Sequence, residues 1–130
     1  MTGELIYRDE FTEGRVAYGI KEELLAADTK PFILGLVAFG GSGSVNWQRL
    51  STRISYRIYP DDKEGRILDV IVVPDQRDKG IARRLVRIAE KRMKGHGVVR
   101  VFGLAQPDIW GFWQKLGYKV SSDNEILKEL

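Results

Sequence analysis

The fold of this chain is decided by residues 66–93, which read RILDVIVVPDQRDKGIARRLVRIAEKRM. Residues 67–73 are almost wholly apolar and mostly β-branched, and Asp69 is the single interruption. A continuous run of this kind is typical of a central strand covered on both faces. Because proline has no N–H and biases the preceding residue towards extended geometry, we expect the strand to end at Val73 or Pro74.

The hydrophobic period changes from Ile81 onwards, which predicts an amphipathic helix. Its apolar face has the spacing i, i+3, i+4, i+7 and i+11, formed by Ala82, Leu85, Val86, Ala89 and Met93. The opposite face is polar and mostly cationic, formed by Arg83, Arg84, Arg87, Glu90, Lys91 and Lys94. Gly95 and Gly97 are expected to end the helix.

The joint between strand and helix has the composition of an anion-binding turn. It reads Arg77-Asp78-Lys79-Gly80-Ile81-Ala82, with small residues beside two cations. The first N–H groups of a helix have no intrahelical partners and carry the positive end of the helix dipole, so a diphosphate can accept hydrogen bonds there. Gly80 has no Cβ and allows close approach. An ordinary strand-to-helix turn with surface cations is the alternative.

Two motifs resemble the GNAT superfamily of acyl-CoA-dependent N-acyltransferases. The signature R/Q-x-x-G-x-G/A after a V-x-P strand end is matched by Arg77, Gly80 and Ala82. About thirty residues later, residues 112–118 read FWQKLGY and resemble the family segment F-Y-x-x-x-G-F/Y, which closes the acyl-CoA cleft. This second segment favours the family over an ordinary turn. The resemblance covers roughly residues 31–120, and the first thirty residues match nothing specific.

The resemblance implies a set of acetyl-CoA-binding residues. Backbone groups of Val72 and Val73 would hold the pantetheine arm and polarise the thioester oxygen. The diphosphate is expected on the amides of residues 78–83. The expected cofactor-binding residues are therefore Val72, Val73, Arg77, Asp78, Lys79, Gly80, Ile81, Ala82 and Arg83, together with Gln106 and Trp113 near the cleft.

The chain departs from the family where the general acid is expected. The family usually has a tyrosine after the residue that matches Phe112, and this chain has Trp113, whose indole cannot usefully protonate a thiolate. Gln106 stands in place of an asparagine, and Ile109 stands in place of an alanine. Tyr118 matches a position that is normally a buried aromatic, so its hydroxyl is interpreted as structural.

Asp69 is the candidate general base, because it is the single carboxylate in the apolar strand. Burial can raise the pKa of a carboxylate towards a useful range. A salt bridge to an arginine is the alternative that the sequence leaves open. His96, the only histidine, lies between two glycines and is interpreted as a surface residue.

The composition indicates a single folded domain over residues 1–130, with 43% hydrophobic and 30% charged residues. The absence of cysteine excludes an acyl-cysteine intermediate and a thiolate metal site, and no metal is expected. No apolar run approaches the ~20 residues that span a bilayer, and no signal peptide is visible, so we expect no membrane contact and a cytoplasmic location. The net charge of +3 is mild.

The remaining patterns complete a mixed α/β fold. We expect an edge strand over residues 4–11, a short helix near 19–28, a buried strand over 31–39 and a flexible turn over 40–44. A half-buried strand is expected over 45–59, another over 98–104, a helix over 108–116 and terminal strands over 118–120 and 125–130. The result is a mostly antiparallel sheet with a β-α-β crossover. In the family, the strands that correspond to 67–73 and 98–104 splay to form the acyl-CoA cleft.

Two function classes follow from these patterns. The first is an N-acetyltransferase that moves an acetyl group from acetyl-CoA to a primary amine of an unidentified acceptor. The second is a binding module, either a catalytically impaired CoA-binding protein or a nucleic-acid-binding protein that uses the basic helix face. Nucleic acid is disfavoured because Glu90 interrupts the basic stripe and no aromatic residues are interleaved with it.

Overall fold

The computed structural model describes residues 4–13, 16–26, 32–72 and 80–130, and these residues form an eight-stranded sheet with two helices. The strands are β1 (Glu4–Glu13), β2 (Val16–Ala26), β3 (Phe32–Ser42), β4 (Leu50–Tyr59), β5 (Glu64–Val72), β6 (Arg100–Leu104), β7 (Lys119–Val120) and β8 (Glu125–Glu129). The helices are α1 (Ile81–Gly95) and α2 (Trp110–Lys115), and a 3-10 turn (Pro107–Ile109) precedes α2.

The strand order is β1-β2-β3-β4-β5-β6-β8-β7. Every neighbouring pair is antiparallel except β5 and β6, which run parallel and are connected through α1. A parallel pair needs a crossover of a dozen or more residues, and α1 supplies it. The mixed, mostly antiparallel sheet with a β-α-β crossover confirms the predicted fold class.

Helix α1 packs on one face of the sheet, which we call the helix face. Alternate residues of β2, β3, β4 and β5 point to α1 and are buried, among them Ile20, Leu36, Ile54 and Ile67. The apolar stripe of α1 meets them, with Leu85, Val86, Ala89 and Met93 all inaccessible to solvent. The period-two pattern of the strands and the 3.6-residue pattern of the helix therefore share one core.

The other face, which we call the open face, carries Lys21, Val37, Arg53, Ser55 and Asp69. Along each strand these residues alternate with those of the helix face, and they lie opposite each other on neighbouring strands. Among the described residues, neither helix packs on the open face: α1 contacts the sheet through the helix face, and α2 lies against β7. Part of the open face is covered by the loop after β3, where Trp47 packs over Phe39 and Lys21.

The helix predicted near residues 19–28 is wrong, because Val16–Ala26 form strand β2. This strand pairs with β1 on one side and β3 on the other, and Tyr18, Ile20 and Glu22 alternate into the core. The good helix formers of the segment KEELLAAD lose to tertiary context, since two sets of ladder hydrogen bonds and core contacts outweigh a propensity of a few tenths of a kcal/mol per residue.

Strand β5 is not covered on both faces as predicted. It begins at Glu64 and follows the pattern of a strand with one buried face, leaving Leu68 and Ile71 37% and 51% exposed. Strand β3 also runs three residues into the predicted turn, to Ser42, and β4 begins at Leu50 rather than at residue 45. The helix predicted over 108–116 is divided between the 3-10 turn and α2.

Two buried ionic groups connect α1 to the sheet. Arg92 Nε on α1 donates to Oε2 of Glu22 on β2 at 2.7 Å, and Glu22 is completely buried. Glu90, also on α1, accepts from the Tyr118 hydroxyl at 2.8 Å and from Lys128 Nζ at 3.0 Å. Buried charges are tolerated when each has a charged partner and hydrogen bonds, and both groups meet that condition.

Neither helix of the described residues is long and apolar enough to cross a membrane.

Candidate functional site

Strands β5 and β6 separate after three paired residues and leave a cleft. Glu64, Gly65 and Arg66 pair with Arg100, Val101 and Phe102. Beyond this point β5 continues to Val72 with β4 as its partner, while β6 continues with β8. The facing edges of the two strands therefore keep backbone N–H and C=O groups that the sheet does not use. Such groups can bind an extended amide-containing arm as an added strand would be bound.

The strands and turn that flank this cleft carry exposed apolar side chains. Leu104 is 68% exposed, Ile71 51% and Ile109 45%. With Leu68, they account for four of the five exposed large hydrophobic residues found in the described part of the chain. Clustered exposed apolar surface marks a binding groove more often than chance exposure does. The cleft thus combines unused backbone groups with apolar walls.

The first turn of α1 follows β5 along the chain and begins at Gly80. This residue has φ 75°, in the left-handed region that favours glycine, and its carbonyl oxygen accepts the N–H of Arg84 at 3.1 Å. The N–H groups of Ile81, Ala82 and Arg83 precede that first helical bond, so α1 leaves them without intrahelical partners. No acidic residue lies in this turn. The arrangement suits an anion.

The predicted cofactor-binding residues are only partly visible in the described ranges. Val73, Arg77, Asp78 and Lys79 lie outside the described residues. Val72 is the last residue of β5, Gly80 and Arg83 are exposed, Ala82 is half-buried, and the Ile81 side chain is buried in the core. Gln106 is exposed at the end of β6, before the 3-10 turn.

A β-bulge determines where Asp69 points. Ser55 lies opposite Asp69, but the next residue, Tyr56, lies opposite Ile67, so Leu68 has no partner on β4. The extra residue puts Asp69 on the open face, where it is exposed and accepts a hydrogen bond from the Ser55 hydroxyl at 3.3 Å. The expectation that Asp69 is surrounded by apolar groups is therefore wrong. Among the described residues its partner is a hydroxyl and not an arginine, and it is open to solvent.

Trp113 is buried, only 3% exposed, in an aromatic cluster. Its ring makes edge contacts with Phe112 and Tyr118, both with centroids 5.1 Å away. Its indole N–H has no hydrogen-bond acceptor among the described residues. A buried donor without an acceptor costs about 1–3 kcal/mol, so this N–H is suited to an acceptor that a bound ligand brings.

Two of the buried tyrosines, Tyr56 and Tyr118, are unsuited to proton transfer in the cleft. Tyr118 donates its hydroxyl to Glu90, and burial followed by the charge of Glu90 raises the pKa of Tyr118 far above its ordinary range. Burial and, second, the nearby charge of Glu22 also raise the pKa of Tyr56. The Tyr56 hydroxyl has no hydrogen-bond partner among the described residues, so Glu22 acts on it through its charge. Both rings lie in the core. The structural interpretation of Tyr118 agrees with this geometry.

Two cavities lie away from the splayed end of the cleft. One, of about 120 Å³, sits at the paired start of β5 and β6 and is lined by Tyr59, Asp62, Glu64, Gly65, Arg66 and Phe102. A more open depression of about 560 Å³ lies over the loop of residues 41–49. In the described ranges no three His, Asp or Glu side chains are grouped so that they could hold a metal ion.

Sequence reasoning missed the buried pair of Glu22 and Arg92, and it did not locate the bulge at Leu68 that decides the face of Asp69. A signal for the first was present: reading residues 18–22 as a strand makes Glu22 a charge on a core face, which requires a cationic partner. The bulge had no such signal, because it is a property of the register between two strands.

Solved structures resemble this chain in fold. The PaiA N-acetyltransferase from Thermoplasma acidophilum, in complex with coenzyme A, is 26% identical with a TM-score of 0.64, and the match covers 75% of this chain and 61% of that protein. The chain thus spans less than two thirds of that relative. An IAA acetyltransferase from Bacillus cereus is 18% identical with a TM-score of 0.64 over 75% of this chain and 78% of the other.

A Bacillus subtilis acetyltransferase in complex with CoA is 12% identical with a TM-score of 0.62, over 75% of this chain and 77% of that chain. These last two likenesses concern the fold alone. No curated protein sequence matches the chain. The family model described as Acetyltransferase (GNAT) family matches residues 7–118, so the match begins well before residue 31, where the sequence resemblance was expected to start. The crossover, the splayed strands and this match together establish that the chain belongs to the GNAT family of acetyltransferases.

Proposed function

We propose that this protein transfers an acetyl group from acetyl-CoA to a primary amine by direct attack within a ternary complex. The observation that carries the proposal is the separation of β5 from β6, together with the open first turn of α1, which follows β5 along the chain. The amide-rich arm of an elongated ligand matches the backbone groups that the two strands leave unpaired. Its diphosphate matches the N–H groups that the first turn of the helix leaves unpaired.

The chain's own residues fit acetyl-CoA at three further points. Gly80 leaves space for a diphosphate beside the N–H groups of Ala82 and Arg83. The apolar side chains of Ile71 and Leu104 can cover the hydrocarbon parts of the arm. The buried N–H of Trp113 would find its missing acceptor in a carbonyl of the arm. Val73, Arg77, Asp78, Lys79 and Gln106 remain proposed contacts of the same ligand.

The reaction requires a neutral amine, an attack on the thioester carbon and a proton for the leaving sulfur. In this mechanism Asp69, exposed on the open face of β5, accepts a proton from the acceptor ammonium, directly or through one water. The amine nitrogen then forms the C–N bond, and the C–S bond breaks. Because Tyr56 and Tyr118 are held in the core, the thiolate takes its proton from the nitrogen that has attacked or from water.

The direct test is acetyl transfer from acetyl-CoA to a panel of amino acids, polyamines and peptide N-termini, measured as free thiol released together with mass spectrometry of the acceptor. We expect an acetylated amine and stoichiometric CoA. Tight binding of acetyl-CoA without transfer to any acceptor would instead favour the CoA-binding module.

Asp69→Asn is expected to lower kcat by about 10²–10⁴-fold, because the amide keeps the size of the side chain but cannot accept the proton. The affinity for acetyl-CoA, measured by calorimetry, should not change. Ser55→Ala is the matched control, since it removes the hydrogen bond to Asp69 but leaves the carboxylate. Full turnover in Asp69→Asn would exclude Asp69 as the base.

Trp113→Tyr restores the residue that the family usually has, and we expect no gain in kcat near the roughly 10²–10⁴-fold that a general acid contributes, while the lost indole N–H weakens the binding of acetyl-CoA. The reason is that the wild-type reaction takes its proton elsewhere. Trp113→Phe controls for the altered packing. A gain of two orders of magnitude in the tyrosine variant alone would mean that the wild-type protein is catalytically impaired.

A further inference from the structure

The open face carries two arginines in an arrangement that is unfavourable without a ligand. Arg57 on β4 and Arg66 on β5 lie directly opposite each other in the antiparallel ladder. Like charges at such a cross-strand position repel, because the Cβ atoms of directly opposite residues are only about 4.5–5.5 Å apart. A sheet that keeps this pair gains stability from an anion between them.

The Arg57 guanidinium is also incompletely hydrogen-bonded. The side chain is half-buried, and its Nε is shielded from solvent without a partner among the described residues. Among the described residues, its guanidinium makes one hydrogen bond, a long one of 3.4 Å from Nη1 to the Tyr59 hydroxyl. A buried cationic N–H without an acceptor is costly, and the planar fork of arginine matches the two oxygens of a carboxylate or phosphate.

The acids that flank this pair have other partners. Glu64, on the same face and two residues before Arg66, lies with Oε1 3.8 Å from Nη1 of Arg100 on β6. Asp69 accepts the hydroxyl of Ser55. Within the described residues, neither Arg57 nor Arg66 forms an ion pair with a carboxylate. The positive charge of the pair is therefore available to a ligand.

The position of the pair relative to Asp69 connects it to the acceptor. Arg57 follows Ser55 by two residues on β4, and Ser55 lies opposite Asp69, so the arginine pair is about 7 Å from Asp69 along the strands. Gly35, Ser55 and Asp69 form a row across three strands, and the first two are small and buried. Small side chains therefore stand beside Asp69 along the row, in line with a substrate that reaches Asp69 over the open face.

We infer that the acceptor amine carries an oxyanion, a carboxylate or a phosphate, which Arg57 and Arg66 bind while Asp69 faces the amine. This inference rests on the proposed function. It assigns the acceptor class as short amines with an anionic group several bonds from the nitrogen. Arg53, exposed on the same face at the other side of Ser55, adds to the positive field that attracts such an acceptor.

The test compares matched acceptors: γ-aminobutyrate against n-butylamine, and phosphoethanolamine against ethanolamine. We expect the KM of the anionic member to be at least about tenfold lower, in the range that charged hydrogen bonds supply. Comparing the carboxylate pair of acceptors with the phosphate pair identifies which oxyanion the protein prefers. Equal or lower KM values for the neutral amines would overturn the inference and leave the proposed function intact.

Single substitutions test whether the two arginines cause the preference for anionic acceptors. Arg57→Met and Arg66→Met should each remove the preference for the anionic acceptor and leave acetyl-CoA affinity unchanged. Arg57→Lys should restore part of it, because the charge remains but the fork is lost. Lys94→Met, which removes one exposed charge at the far end of α1, is the control for net charge. A preference that survives both arginine variants would contradict the assignment.

A failure of catalysis has a separate readout. If no amine is acetylated, the proposed function fails, and the site is judged by calorimetric binding of glutarate and of inorganic phosphate to the CoA-saturated protein. Binding that is lost in Arg57→Met supports the oxyanion site. The absence of binding of either anion to the wild-type protein overturns it.

Discussion

Gly80→Glu abolishes the binding of acetyl-CoA, with an expected increase in Kd of at least about 100-fold. Two effects act in the same direction. Gly80 has φ 75°, a backbone conformation that costs other residues about 1–2 kcal/mol. The new carboxylate would also occupy the start of α1, where it satisfies the helix N–H groups itself and repels a diphosphate. Calorimetric titration with acetyl-CoA measures the loss.

The controls separate charge, strain and unfolding. Gly80→Ala introduces the backbone strain without the charge and should weaken binding much less. Gly95→Glu introduces the same side chain at the other end of α1, where an added Cβ meets nothing within 4 Å, and should leave the affinity unchanged. If a folded Gly80→Glu variant binds acetyl-CoA as the wild type does, the diphosphate does not lie at this turn.

Arg92→Met lowers the free energy of unfolding by about 3 kcal/mol, the lower end of the range for breaking a buried ion pair. The reason is that Glu22 is completely buried on the helix face and receives its short hydrogen bond from Arg92. We take the lower end because the Arg92 side chain is 33% exposed and part of the pair is therefore screened by water. Denaturant unfolding monitored by circular dichroism measures the change.

A double variant that removes both charges of the Glu22–Arg92 pair tests whether the buried charge causes the loss of stability. In Glu22→Gln combined with Arg92→Met no uncompensated carboxylate is left in the core, so we expect the double variant to recover most of the lost stability. Lys91→Met, at the exposed neighbour of Arg92, should change the stability by less than about 0.5 kcal/mol. A double variant as unstable as Arg92→Met would show that packing, and not the buried charge, causes the loss.

Much of the second half of the fold could be predicted from the sequence. Helix α1 begins at Ile81 and ends at Gly95 as expected, because its apolar spacing and its flanking glycines are local signals. The strand before it, the strand after it and the terminal pair β7 and β8 were also predicted, with boundaries that differ by a few residues. The motifs around Gly80 and Tyr118 led to the GNAT family, which the match over residues 7–118 confirms.

The sequence by itself therefore determined the amphipathic period of α1, the glycine turn and the family. Only the tertiary structure decided which residues of neighbouring strands lie opposite each other. Residues 16–26 form a strand because β1 and β3 supply partners, although their composition favours a helix. Asp69 faces solvent because the bulge at Leu68 shifts its register, and Arg57 meets Arg66 through the same ladder. Register arises from contacts between segments distant along the chain, and no local pattern contains that information.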